Sequence, residues 1–368
     1  MIAPQNAREL ADALLASASA KQTIRLGGAF SKDAVGGLIC PAARTITTSA
    51  MNRVLQYEPK DLTISVEAGL PYAELTRLLA QNRQMIPLDP PFASTATIGG
   101  VLAANSSGPR RRLFGTARDL VIGMQFATVE GKLVQSGGMV VKNVAGLDMA
   151  KMMIGSLGTL AAIATANFKL IPMSNSTRTF VMPFHTVEAT MEGRALLYES
   201  SLQPLALDIL NPAAAKRIGR DGYLLLIQAG GSEALMDRYR RSLPSAEMIS
   251  GTEESALWHD VREFTPAFLA SHPGGAVMRV SKTVTSLTSV IGREQPVVAR
   301  AGTGVSYVYY EQCDECPAED LIEYSPADKK SGLNLWPNPG GDFFIMQKIK
   351  QMFDPQNLLN RGRLYGRI

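Results

Sequence analysis

Cysteine, histidine and tryptophan are scarce in this chain of 368 residues, which holds three, three and two of them. An odd cysteine count excludes a fully paired disulfide framework. Cys313-Asp-Glu-Cys316 has the spacing of a ligand pair, but a four-cysteine centre needs a second pair, and only Cys40 remains. The chain therefore holds no iron–sulfur cluster by cysteine alone, and reduced thiols are expected. His185, His259 and His272 stand apart and are read as surface or helix-packing residues, so no metal site is expected. No uninterrupted apolar run reaches bilayer length. The N-terminal residues carry Arg8, Glu9 and Asp12 where a signal peptide would be apolar. A soluble, cytoplasmic protein is expected, touching the inner face of a membrane only through partners. The net charge is a mild +4. Without a basic stripe interleaved with aromatics, nucleic acid is excluded as a partner. The dense cluster Arg110-Arg111-Arg112 reads as a solvated loop, with a docking patch or a phosphate contact as the alternative.

What the chain has is length, an ordinary globular balance of 46% hydrophobic and 19% charged residues, and 32 glycines. The length suits more than one core. The glycines gather in three regions. The first is Gly27-Gly28-Ala29-Phe30-Ser31, straight after a short strand, Thr23–Leu26. A strand feeding a Gly-Gly turn brings backbone N–H groups together and suits a phosphate. No G-x-G-x-x-G occurs there, so the Rossmann fingerprint is absent. The second is Ser94 to Gly108, in which Thr97-Ile98-Gly99-Gly100 opens a helix and Asn105, Ser106 and Ser107 offer polar partners. The third is Gly137 to Pro172. There a strand at Met139–Lys142 turns through Asn143 and Gly146, and Asp148 is a good N-cap for a helix at Met149–Ile154. Gly155 and Gly158 then bracket a turn before a strand that ends at Pro172. Read by itself, this last stretch suits a packed strand–helix–strand corner as well as a cofactor cradle.

Val140-Val-Lys-Asn-Val-Ala-Gly-Leu-Asp-Met-Ala-Lys-Met-Met-Ile-Gly-Ser-Leu-Gly-Thr-Leu-Ala-Ala-Ile163 resembles the signature of the FAD-binding domain in FAD-linked oxidases of the vanillyl-alcohol oxidase (PCMH) type. Within them it is most similar to the flavin subunits of bacterial glycolate oxidase (glycolate dehydrogenase) complexes. The likeness runs from about Thr23 to Pro172 and returns in the tail, where Asp354-Pro-Gln-Asn-Leu-Leu-Asn-Arg-Gly-Arg363 resembles the closing segment of the family, with Arg361 in place of its proline. The resemblance implies an α+β fold: a two-subdomain PCMH-type FAD-binding domain over residues 1–172, a ferredoxin-like antiparallel-sheet cap over 173–341, and a segment, 342–368, returning to the FAD domain. It implies FAD contacts at Gly27, Gly28, Ala29, Phe30, Ser31, Thr97, Ile98, Gly99, Gly100, Asn105, Ser107, Gly108, Arg118, Gly158 and Ile163. Arg118-Asp119 is read as a structural ion pair beside the cofactor. No histidine stands in the first loop, so FAD is expected to be non-covalent. The implied function is the FAD subunit of a glycolate (2-hydroxy acid) dehydrogenase, working with a paralogous FAD subunit and an iron–sulfur subunit. A non-catalytic FAD-binding assembly subunit is the alternative.

From Met173 the predicted elements nearly repeat as two β-α-β-β units, which suits an antiparallel sheet with helices on one face. Oxidising a 2-hydroxy acid calls for a cation on the carboxylate and a base for the hydroxyl proton. Arg279, in Val277-Met-Arg-Val-Ser281, is the first candidate for the cation because a cap strand can aim it at the flavin. Arg262 is the second and Lys282 the third. No base stands out.

Overall fold

The computed structural model describes residues 1–140 and 147–368. Helix Ala7–Ser19 begins where the Asn6 side chain accepts the Glu9 amide at 2.9 Å, a standard N-cap. It buries Leu10 and Leu14, whereas Leu15 remains 42% exposed. These side chains cover a parallel pair of strands, Ile24–Gly27 and Arg44–Thr47. Leu358 and Leu359, from the far end of the chain, complete the same core.

A second layer is a five-stranded antiparallel sheet in the order Val54–Glu58, Thr63–Glu67, Ala162–Lys169, Val121–Ala127, Leu133–Gly137. Helices Tyr72–Ala80 and Ile98–Ala103 bury Leu75, Leu79, Val101 and Leu102 against it. The Leu133–Gly137 strand returns through a turn at Gly131, whose φ of +73° suits glycine. Of the expected strand at Met139–Lys142, residues 139 and 140 belong to no strand, and the rest, with the turn through Asn143 and Gly146, lies outside the described residues. Asp148 is not the cap of the next helix. That helix is only Ala150–Met153, the Ala150 amide donates to the Ser136 hydroxyl at 3.2 Å, and Asp148 faces Lys151 at 3.6 Å. Nor do Arg118 and Asp119 pair. Asp119 accepts the Thr116 amide at 2.7 Å in a capping box, which leaves Arg118 in solvent.

The third layer is an eight-stranded, wholly antiparallel sheet ordered Glu247–Ile249, Ser176–Phe184, Tyr223–Gly231, Ala206–Leu210, Val297–Arg300, Val305–Tyr310, Ala276–Ser281, Leu321–Tyr324. The two predicted β-α-β-β units lie side by side in it, joined where Ile209 pairs with Ala299. Helices do not sit on one face only. Val187–Glu199 and Glu233–Ser242 cover one face through Leu197, Met236 and Tyr239. Gly251–Arg262 and Phe264–Ser271 cover the other through Leu257, Trp258, Phe264 and Phe268. The reason is visible in Leu224-Leu-Leu-Ile227, an unbroken buried run that leaves no polar face to water.

The tail helix Phe343–Phe353 ends at Asp354, whose fully buried carboxylate accepts the Leu358 and Leu359 amides at 3.0 and 2.8 Å and the Lys350 ammonium at 2.6 Å. Lys350 also donates to the Thr159 and Leu359 carbonyls. The segment is thus pinned to the first core. Asp354→Ala would leave a buried ammonium without its counter-ion, and should cost about 3–5 kcal/mol. Denaturant titration should show a lower midpoint for Asp354→Ala; an unchanged midpoint would mean the tail is not held this way.

Candidate active site

Between the first two layers lies a cleft of about 990 Å³ including its open mouth, within the usual size of a cofactor site. Its lining brings together Gly27 to Lys32, Thr97, Gly99 and Gly100, Gly158, Ile163 and, from the tail, Asn360 and Arg363. The three glycine regions therefore meet in space. A Cβ on Gly28 would stand 2.0 Å from the Thr97 hydroxyl, and one on Gly158 would stand 2.7 Å from the Asn360 amide. Absent side chains are what allow these contacts.

The loop carries the anion-binding potential, and the helix does not. The amides of Gly28, Ala29, Phe30, Ser31 and Lys32 donate to nothing among the described residues. Phe30, at φ +55°, turns this run into a concave nest of donors. The start of helix Ile98–Ala103 is used internally, contrary to expectation. Ile98 donates to the Leu70 carbonyl, Gly99 to that of Ala68 at 2.7 Å, and Gly100 to the Thr97 hydroxyl. Gly99 is a contact glycine, since its Cβ would lie 2.9 Å from that of Ala68.

Five of the residues expected to touch the cofactor lie outside the cleft lining. Arg118 is exposed. Ser107 accepts from Arg111 at 3.2 Å, and Gly108 packs on Asp89, whose carbonyl its Cβ would meet at 2.2 Å. Asn105 sits one residue beyond the lining, at φ +46°, with its buried Oδ1 unpartnered. Ile98 is buried in the core behind the cleft.

Lys32 is the residue that motif reading missed. It is 8% exposed, and its ammonium has no hydrogen-bond partner among the described residues. Burial lowers its pKa to about 8, opposed by Glu263, and it rests 6.0 Å from the Phe92 ring centroid. A buried cation beside a nest of free amides fits the two phosphates of a dinucleotide.

The arginine cluster is not a solvated loop. Arg110 donates to Asp89 at 2.7 Å, and Arg112 donates to the Pro204 carbonyl and Gln203 at 3.1 Å each. Arg262 lies 4.0 Å from Asp89, and Glu263 accepts the Phe92 and Ala93 amides. Arg112, Arg262 and Glu263 clamp the N-terminal layers to the eight-stranded sheet, whereas Arg110 and Asp89 pair within those layers; Arg262 is thus a brace, and Arg279 takes no part in this clamp. Arg279 stands on the sheet, opposite Tyr307 in register. Its buried Nε is unpartnered. Arg300, on the same face, pairs with fully buried Asp208, whose carboxyl is pushed up to about 6 by burial against the pull of Arg300. Arg111 reaches this neighbourhood from the N-terminal side, where Arg279, Arg300, Tyr307 and Glu323 all act on its charge. Lys282, His185 and His259 are exposed, and His272 stacks on Phe268 at 4.5 Å between ring centroids.

Comparison with known proteins agrees with this geometry. Residues 1–137 match the family described as FAD binding domain. This defines the class that the first part of the chain carries, an FAD-binding domain, and FAD is its cofactor; the relatives that the chain resembles include FAD-linked oxidoreductases. More particularly, it is similar to glycolate oxidase subunit GlcE of Escherichia coli (strain K12), 26% identical over 95% of both chains. It is also 26% identical to glycolate oxidase subunit GlcD of Bacillus subtilis (strain 168), over 57% of this chain but only 45% of that one. In fold it is similar to 4-ethylphenol oxidase from Gulosibacter chungangensis, with a TM-score of 0.72 at 13% identity over 99% of this chain and 88% of that one. Among the described residues no helix is long and apolar enough to cross a membrane.

Two outcomes test the cleft. Gly28→Ala should weaken FAD binding by about tenfold or more through the clash with Thr97, read as flavin absorbance per chain while circular dichroism stays unchanged. FAD affinity should fall as pH rises through about 8, because Lys32 loses there the charge that phosphates would stabilise. Titrations of Lys32→Gln should be weaker and flat over the same range; a native-like slope would acquit Lys32.

Proposed function

We propose that the chain is the FAD-carrying subunit of a multi-subunit dehydrogenase for a small 2-hydroxy acid of the glycolate kind. Electrons would leave it for an iron–sulfur partner, beside a paralogous flavin subunit. The similarity to proteins named as glycolate oxidase subunits supports the assembly. The scarcity of cysteine supports a cluster held by another chain. The observation that carries the substrate class is Arg279, a half-buried arginine whose Nε is buried and unpartnered, on the sheet face that meets the N-terminal layers. A planar carboxylate supplies the two acceptors that such a guanidinium lacks.

Gly28 to Lys32 would hold the pyrophosphate through main-chain amides and the Lys32 ammonium. Gly158, Ile163 and Asn360 line the cleft further along. Bound FAD supplies the two-electron oxidant. Arg279 orients the substrate through its carboxylate, and the clamp of Arg112, Arg262 and Glu263 keeps the two parts closed against water. FAD is held without a covalent link, so denaturing the protein should release all of it into the supernatant.

The test is anaerobic reduction of the flavin by glycolate, with and without partner subunits. Arg279→Ala should slow bleaching about 100-fold while FAD occupancy is kept. Unchanged bleaching in that variant would remove the carboxylate role. If neither the native chain nor the assembled complex bleaches this flavin, the reading as an assembly subunit takes its place.

A further inference from the structure

Glu323 lies where the edge strand of the sheet is distorted. Ile322 pairs with Met278 and Tyr324 with Val277, so two steps on one strand answer a single step on the other. Glu323 is the extra residue of a β-bulge, a device that re-aims a side chain. Ile322 packs in the core behind the sheet. Tyr324 faces the N-terminal layers and stacks on Phe92 at 6.1 Å between ring centroids. The neighbours that act on the Glu323 carboxyl are Arg279 on the adjacent strand and Arg111 from the N-terminal side. Tyr307, Tyr324 and Tyr365 surround it in turn and respond to its charge.

No ion pair closes this cluster among the described residues. Glu323 Oε2 and Arg279 Nε are both buried, and both lack a partner. Opposite charges held near each other inside a protein without joining are costly unless a guest sits between them and satisfies both. The spot also adjoins the cofactor cleft. The Gly36 amide donates to the Glu323 carbonyl at 2.9 Å, and Phe92 touches Tyr324 on one side and Lys32 of the cleft on the other.

We infer that the gap between Arg279 and Glu323, flanked by Arg111, seats a small 2-hydroxy carboxylate, with Arg279 on its carboxylate and Glu323 as the base for its hydroxyl proton. The catalytic half of this inference rests on the dehydrogenase reading above. In the step, the O–H bond breaks and its proton passes to a Glu323 oxygen. The C2–H bond breaks with its electron pair, which leaves as hydride for FAD, and a C=O bond forms. The product is the 2-oxo acid, and the substrate has lost two electrons and two hydrogens. Burial raises the Glu323 carboxyl above the usual carboxylate range, against the pull of Arg279 and Arg111. It is therefore a stronger base than an exposed glutamate. Its protonation on the acid side should switch the reaction off at a pH above that of an ordinary carboxyl.

The experiment uses the full chain loaded with FAD, alone and with its partner subunits. Oxalate, which carries two carboxylates and no oxidisable C–H, is titrated calorimetrically to test the seat. Arg279→Ala should weaken oxalate binding about 100-fold and Arg111→Ala about tenfold, with Glu323→Gln binding at least as well as native. Glu323→Gln should slow anaerobic bleaching by glycolate about 100-fold and lose the acid-side fall in rate, and Glu323→Asp should recover part of both. Glu323→Gln should also melt higher than the native chain at neutral pH, because an unpaired buried charge has gone; a merely structural carboxylate would make it melt lower. Native rate and acid limb in Glu323→Gln would overturn the base, and native oxalate affinity in Arg279→Ala would overturn the seat. Should no hydroxy acid bleach the native complex, the dehydrogenase reading and the base fall together, and the seat stands or falls on the oxalate series alone.

Discussion

A loop that offers its amides to a cofactor has carbonyls left over, and in this protein those carbonyls are held from the other end of the chain. Asn360 accepts the Leu26 amide at 2.7 Å and donates to the Leu26 and Leu157 carbonyls at 3.0 and 2.9 Å. Arg363 donates to the carbonyls of Lys32, Asp33 and Gly37, and Lys330 to those of Asp33, Ala34 and Gly37. The loop is therefore a rigid object although it contains no regular structure beyond the strand that enters it. Buried backbone must be paired, and here pairing the acceptors from outside leaves the donors of Gly28 to Lys32 free to face the cleft.

The same economy of partners explains why the tail closes the fold. Asp354 gathers two amides and an ammonium, and through Lys350 it reaches the Thr159 carbonyl, inside the third glycine region. Gly37 has no room for a side chain, since its Cβ would stand 1.8 Å from the Gly362 carbonyl. The first strands, the third glycine region and the tail are thus one mechanical unit, and the eight-stranded sheet is fastened to it by arginines and by Glu263. Buried polar atoms left unpartnered near this seam include Lys32 Nζ, Arg279 Nε and Glu323 Oε2, beside the Nε atoms of Arg112, Arg262 and Arg300. Arg112 and Arg300 make other hydrogen bonds and Arg262 lies beside Asp89, whereas the side chains of Lys32, Arg279 and Glu323 make none among the described residues, and that makes these three informative.

The predicted fold was legible because its elements carry strong local signals. The short strand at Ile24–Gly27, the helix opened by Thr97 and the strand that carries Arg279 fall where the local pattern puts them. Weak or context-borne elements were not legible. The edge strand Leu321–Tyr324 is four residues long and holds its place by pairing with Ala276–Ser281, so no periodicity marks it. The helix start at Thr97 looked like a phosphate site, but whether an amide is free depends on carbonyls some thirty positions away in sequence, at Ala68 and Leu70. Arg110 and Arg112 looked solvated for the same reason, because their acceptors at Asp89, Gln203 and Pro204 are distant along the chain.

By itself the sequence determined that the first half is rich in turns only glycine can make, that FAD-linked oxidases share its signature, and that cysteine is too scarce for a cluster held by this chain. Those properties are local, written in residue type and short-range spacing. Only the tertiary structure decided which glycines meet, which amides stay free, that Arg262 braces while Arg279 stands unpaired, and that a bulge turns Glu323 toward it. Each of these depends on long-range partners, and a hydrogen bond or ion pair between remote positions leaves no periodic trace in the chain.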